Sequence, residues 1–357
     1  MISTASLRRI GTRLVASLVL AGGFFWMFRR GGLPLVPPAS SFEAVSWPML
    51  GAAFALLMVV SFLRTYRWFY LLRPMGETDR WRTLAIGLVG YGFVVFAPLR
   101  LGEVARPWLL TERTRIPFLT GIMTTGVERI LDGMCVALLL LVGQVLSRPI
   151  DPLPTRLGTL PVPVYIVPGL AWTAIALFGG LAVALMAFYW RRAQAHALVV
   201  RVVRVVSRPL AERVATQLEN IVAGLATSFQ RDSALPYLRD TLLYWGLNIV
   251  TTFLMLRATG VPATMPEAIV VLTVMGLGSL VPAGPGFFGA YQLSAYCALA
   301  MFQPEQLVLR QGAVFVFVSY VTNLAVTTVG MLVGLALLWA RGRATPASGE
   351  PAAVREP

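Results

Sequence analysis

The sequence predicts an all-α, polytopic integral membrane protein with about six full spans plus two oppositely oriented re-entrant helix pairs in an inverted repeat. Three observations carry that prediction. The chain is 57% hydrophobic and 13% charged, with a mean hydropathy of +0.73 over 357 residues, outside the range of soluble globular domains. Long apolar runs alternate with arginine-rich connections, as in a chain that crosses a bilayer repeatedly. Two of the runs are broken by matching punctuation, GYGFVVFAPLRLGE at 90–103 and GLGSLVPAGPGFFG at 276–289. Each reads Gly-x-Gly and then Pro-x-x-x-Gly. Irregular backbone at membrane depth survives only where protein or a water-filled cavity satisfies its hydrogen bonds, so paired breaks mark a candidate transport site.

Taken in order, Arg8, Arg9 and Arg13 precede an apolar stretch at 14–28 that Arg29 and Arg30 close without a small-x-small cleavage site. The expectation is an uncleaved first span, its core short of the ~20 residues of a full crossing. Further apolar runs cover 47–72, 84–96, 118–146, 164–190, 237–256, 268–281, 291–302 and 313–339. Those at 84–96 and between 268 and 302 are too short or too interrupted for ordinary spans. Residues 82–116 are therefore expected to dip in from the cytoplasmic side and 266–305 from the outer side, although each broken piece can also be counted as a full span.

Arginine placement sets the orientation. Arg73, Arg80, Arg82, the group at 100–115, the loop at 191–213, and Arg341 and Arg343 all fall on one side if the N-terminus is inside, which places both termini in the cytoplasm. Residues 1–343 then form one membrane domain. Within it, 191–232 carries Val200, Val203, Val206 and Leu210 at helical spacing among arginines, a basic amphipathic cytoplasmic helix or a solvated connector. The tail at 344–357, rich in Pro, Ala and Glu, is expected to be disordered.

Several classes of function are excluded. A net charge of +14 would suit nucleic acid, but no soluble basic domain is present to bind it, and the arginines lie where anionic lipid would face them. Cys135 and Cys297 sit inside apolar runs, so no disulfide framework is implied. With His196 alone and no cysteine cluster, neither a metal nor a protein-held cofactor is expected.

Charged residues inside membrane segments are costly, and each is a candidate site. In VERILDGM, a spacing of four puts Glu128 and Asp132 on one helical face, with Arg129 rotated by about 100°. Two neighbouring carboxylates at that depth require a cation, which Arg100 or Arg106 can supply. Two readings stay open there: a polar cavity that meets a lipid head group or carries protons, and an ion-pair network that pins the re-entrant segment. Arg100, Glu103 and Arg106 follow one another at three-residue spacing, and guanidinium forks suit a phosphate. The second break is uncharged. Its polar groups are Ser279, Gln292, Ser294 and the amides around Gly284, Gly286 and Gly289, which can donate to an anion, while the glycines can equally serve close helix packing. Arg64 and Arg67, at the end of the second apolar run, read as snorkelling interface residues, and Asn248 and Asn323 as interhelical hydrogen bonders.

The runs FAPLRLGEVARPWLL, VERILDGMCVALLL and PAGPGFFGAYQLSAY, in this order and separation, resemble the flippase-like membrane domain of the lysylphosphatidylglycerol synthase transmembrane-region family. The resemblance implies an all-helical bacterial inner-membrane protein that flips lipid or exports lipid-linked material. Carried over by motif, the matching positions are Arg100, Gly102, Glu103, Arg106, Glu128, Arg129, Asp132, Pro285, Gly286 and Gly289. Where the third motif usually has a glutamate, this chain has Gln292. Synthase members add a soluble aminoacyl-transferase domain after the membrane part. This sequence stops soon after its last span, so it is not expected to make aminoacylated lipid. The leading expectation is a translocase for an anionic phospholipid or lipid-linked precursor, with the lipid head group as its ligand. The alternatives are an integral-membrane lipid-modifying or glycosyl transferase and an accessory subunit of a lipid-modifying enzyme; such an enzyme or a second copy of the chain would be the protein partner.

Overall fold

The computed structural model describes residues 4–76, 78–97, 102–190, 201 and 231–340. Arg100, the tail and the basic loop apart from residues 201, 231 and 232 lie outside them. The elements are helical almost throughout: α1 Thr4–Gly31, α2 Trp47–Tyr66, α3 Trp68–Leu72, α4 Arg80–Phe96, α5 Gly102–Arg113, α6 Phe118–Leu146 and α7 Val167–Trp190. After the loop come α8 Arg231–Ala258, α9 Met265–Gly278, α10 Ala290–Ala300, the short α11 Glu305–Leu307 and, across a π-helical turn at Val308–Gly312, α12 Ala313–Ala340. A small antiparallel hairpin, β1 Arg156–Leu157 with β2 Leu160–Pro161, lies between α6 and α7.

Among the described residues, five stretches are long and apolar enough to cross a membrane: Gly11–Gly31, Trp47–Met75, Phe118–Leu146, Val164–Ala187 and Glu305–Ala340. The first reaches 21 residues, longer than the apolar core at 14–28, because the helix continues through Arg29 and Arg30. The sixth expected span falls in α8, 28 residues long but made more polar by Asp232, Arg239 and Asp240 near its start. Its length of about 42 Å suffices for a crossing. Helix ends follow local rules. The Asp79 side chain accepts from the Arg82 amide at the start of α4, and the Glu267 side chain accepts from the Thr264 amide at the start of α9.

Both broken regions fold as tightly packed helix pairs. Gly90 lies against Arg106, and Gly102 against Phe93 and Val94, so α4 and α5 run antiparallel as two arms of a hairpin. In the second break α9 packs on α10, with Gly278 against Ser294. Two cores hold the bundle. One gathers Phe28, Tyr296, Leu299 and Phe315; the other gathers Trp68, Ile86, Leu110 and Ile116 beside the first break. Large side chains such as Trp172, Leu177, Val183 and Trp339 point outward, as hydrocarbon permits.

Candidate functional site

The spacing in α6 does place Glu128 and Asp132 on one face, and both are buried. Arg106 of α5 donates to Glu128 Oε2 at 2.6 Å. Arg67, fully buried, donates to Glu128 Oε1 at 3.4 Å and also to Asp132 Oδ2. Glu128 is thus shared by two guanidinium groups. Aromatic rings and a hydroxyl support the cations: the Arg106 guanidinium carbon sits 3.8 Å from the centre of the Trp68 ring, that of Arg67 sits 4.7 Å from Tyr244, and Arg67 donates to Thr241 at 3.3 Å. The Trp68 indole in turn donates to Thr124 at 3.2 Å. Arg129, turned off this face as its position predicts, donates to both oxygens of Glu103 at 3.1 and 3.2 Å.

Two expectations need correction. Arg67 is not an interface snorkeller but the hub of a buried ion network, because the helical stretch runs on to Met75 and leaves Arg67 about two turns inside it. Arg64 does not reach out either: its guanidinium stacks 3.9 Å over the Tyr91 ring and lines an internal cavity. Of the face predicted from Arg100, Glu103 and Arg106, the two described residues both pair with α6, Glu103 with Arg129 and Arg106 with Glu128.

That cavity has a volume of about 540 Å³. Its polar wall takes Ser61 and Arg64 from α2, Tyr91 from α4, Glu103 from α5, Arg129 and Asp132 from α6, and Tyr244, Trp245 and Asn248 from α8. The second break contributes Leu277, Ser279, Gly286, Phe287 and Tyr291, and α12 contributes Ser319, Tyr320 and Asn323. Asn248 and Asn323, read from the sequence as interhelical hydrogen bonders, both face this space. Several buried polar atoms around it have no hydrogen-bond partner among the described residues: Asp132 Oδ1, Arg129 Nε and the Trp245 indole nitrogen.

In the second break, the amides of Gly284 and Gly289 are engaged within the loop. Gly284 N–H donates to the Phe288 carbonyl at 3.1 Å and Gly289 N–H to Gln292 Oε1 at 2.7 Å. The same two glycines admit α1: an added Cβ would fall 2.7 Å from Ala21 at Gly284 and 2.1 Å from Phe24 at Gly289. Gly286, with φ of +71°, lines the cavity against Tyr320.

Gln292 caps the first turn of α10 from a buried position. A glutamate would accept the same N–H, so the change from the usual residue keeps the cap and removes the titratable group. Gln292→Ala is expected to lose about 0.5–2 kcal/mol of stability, whereas Gln292→Glu retains the cap. Thermal melting of the two purified variants checks this: equal midpoints for Gln292→Ala and wild type would mean that the cap contributes nothing.

Antiparallel spans, two interrupted helix pairs and a largely apolar cavity with charged residues on its wall define a polytopic all-α membrane protein. The chain belongs to the family of the lysylphosphatidylglycerol synthase TM region, which matches residues 13–330. It is also similar to a protein named Glycosyltransferase AglD from Haloferax volcanii, 29% identical over 282 residues, an alignment that covers 72% of this chain and 44% of that protein. The chain thus spans less than half the length of that curated relative. No solved structure matches it.

Proposed function

We propose that this protein is a lipid translocase that moves an anionic phospholipid or lipid-linked precursor between the leaflets of a bacterial inner membrane. The observation that carries the reading is that both broken helix pairs border one cavity, Tyr91 and Glu103 from the first and Gly286 and Tyr291 from the second.

The packing pattern supports two halves that rock about this cavity. Helices α2 and α8, which begin corresponding series of span, break and span, pack antiparallel: Arg67 meets Thr241 near one end, and the Ser46 amide donates to the Ala258 carbonyl at the other. Three further contacts have counterparts in the other half. Contact of α4 with α12 is matched by α9 with α6, α2 with α4 by α8 with α9, and α5 with α6 by α10 with α12. Opposed direction combined with matched contacts favours an inverted repeat with re-entrant breaks. Arginine distribution favours cytoplasmic termini.

A transferase acting on lipid-linked sugar is the second reading, favoured by the name of the archaeal relative. Against it, two carboxylates near the outer connections are engaged in structure. Glu267 caps α9, accepting from the Thr264 amide at 3.1 Å, and Glu305 accepts from the Gly158 amide at 2.7 Å.

Reconstitution into liposomes with a fluorescent tail-labelled phospholipid, followed by dithionite quenching, tests the translocase reading. The expected result is progressive quenching of the inner-leaflet label at a rate above protein-free liposomes for an anionic lipid. No excess rate for any anionic phospholipid or polyprenyl phosphate would remove it.

A further inference from the structure

Four arginines surround the polar wall of the cavity, and three of them, Arg67, Arg106 and Arg129, are paired with carboxylates. Arg64 forms no ion pair with any carboxylate among the described residues, although it lies on a membrane-spanning helix and lines the cavity. A cation held at that depth without a counter-ion is costly unless a ligand supplies the charge. Stacking on Tyr91 occupies the face of the guanidinium and leaves its in-plane N–H groups as a fork suited to phosphate oxygens.

Besides Arg129 Nε, two further groups on the same wall have no partner among the described residues. The Trp245 indole nitrogen is buried with no acceptor, and Asp132 Oδ1 is buried with no donor, its other oxygen being held by Arg67. An anion satisfies Arg64 and Trp245 but cannot satisfy Asp132, which needs an N–H or O–H. We infer that Arg64 is the head-group receptor of this cavity and that its ligand is a phosphodiester carrying its own hydrogen-bond donor, the phosphate on Arg64 and the donor on Asp132. Ethanolamine and glycerol phosphodiesters have both features. Choline phosphodiesters have only the first. Apolar wall residues such as Leu57, Leu272 and Phe315 favour a lipid over a free head group. This inference deepens the translocase reading and rests on taking the cavity as its lipid site.

Native mass spectrometry of the purified protein, titrated with chain-matched phosphatidylglycerol, phosphatidylethanolamine and phosphatidylcholine and with soluble glycerophosphoglycerol, provides the test. Phosphatidylglycerol and phosphatidylethanolamine are expected to be retained about tenfold better than phosphatidylcholine, the ratio set by one charge-assisted hydrogen bond. Arg64→Gln, which breaks no ion pair among the described residues, is expected to weaken all three by about tenfold or more. Trp245→Phe, a charge-neutral change, gives a second, smaller loss and keeps the question answerable if Arg64→Gln fails to fold. Equal retention of the three lipids, or unchanged retention in both variants, overturns the inference; tighter binding of glycerophosphoglycerol than of the lipids overturns its lipid part. Selective binding without dithionite-detected flux would sink the translocase reading and leave this one standing. Flux without selective binding would do the reverse.

Discussion

Glu128→Gln is expected to destabilise the protein by about 3–5 kcal/mol, the range for breaking a buried ion network by removing one partner. Glu128 is 3% exposed and accepts from Arg67 and Arg106, so an amide there leaves Arg106 with no anion among the described residues and Arg67 with Asp132 alone. Two nitrogens of Arg106 are already buried without partners, so no spare hydrogen bond is present to absorb the loss. Fluorescence-detected size exclusion after heating should show the monodisperse peak lost at a lower temperature than in wild type. Adding Arg106→Gln to Glu128→Gln should recover part of that loss, because the uncompensated cation goes with it. A wild-type melting temperature for Glu128→Gln would show that the network is not structural.

The same experiment addresses the choice that the sequence leaves open at VERILDGM. Glu128, Arg67 and Arg106 are absent from the cavity wall, whereas Arg129 and Asp132, about 60° apart around the helix, lie on it. One short motif therefore divides its labour: Glu128 ties α6 to α2 and α5, and its two charged neighbours face the cavity. Periodicity reveals which residues share a helical face, but whether a face meets protein or open space depends on what packs there.

That distinction explains which parts of the molecule could be read in advance. Spans at 118–146 and 313–339, the two breaks and the shared face of Glu128 and Asp132 follow from hydropathy and spacing, which are local. Arg67 was misread because the apolar run ends at residue 72 while the helical stretch continues to Met75 through a 3₁₀ turn. Arg64 carries no local mark of its state, since its lack of a carboxylate partner is set by elements as remote as α5 and α6. Gly284 and Gly289 were ambiguous between anion binding and close packing for the same reason: Ala21 and Phe24, which fill the space beside them, lie more than 260 residues away in the chain. The apolar run at 237–256 folds within the single helix α8 even though Asp240 is buried in it.

Gly102→Ala is expected to lower stability by about 3 kcal/mol or more, the upper end of what overpacking does, and on the proposed translocase reading to abolish transport. A Cβ at this position would fall 1.9 Å from the Val94 nitrogen and 2.0 Å from the Phe93 carbonyl carbon. Both are backbone atoms of the opposite arm, so no side-chain rotation relieves the clash. The arms of the first break must separate by on the order of 1.5–2 Å to restore ordinary contact. Movement at Gly102 carries Glu103 with it, pulling that carboxylate from Arg129 at 3.1 Å, and one turn later it strains the 2.6 Å bond from Arg106 to Glu128. A single methyl group is thereby coupled to the cavity wall and to the buried network at once. Gly126→Ala on α6 is the matched control: nothing lies within 4 Å of its added Cβ, and alanine favours the helix by about 1 kcal/mol over glycine. Melting midpoints and dithionite flux measured on both variants should diverge, Gly126→Ala staying at or above wild type in stability with transport intact. If Gly102→Ala melts and transports as Gly126→Ala does, the two arms are not in the contact that positions Glu103, and the first break cannot shape the cavity in the way described.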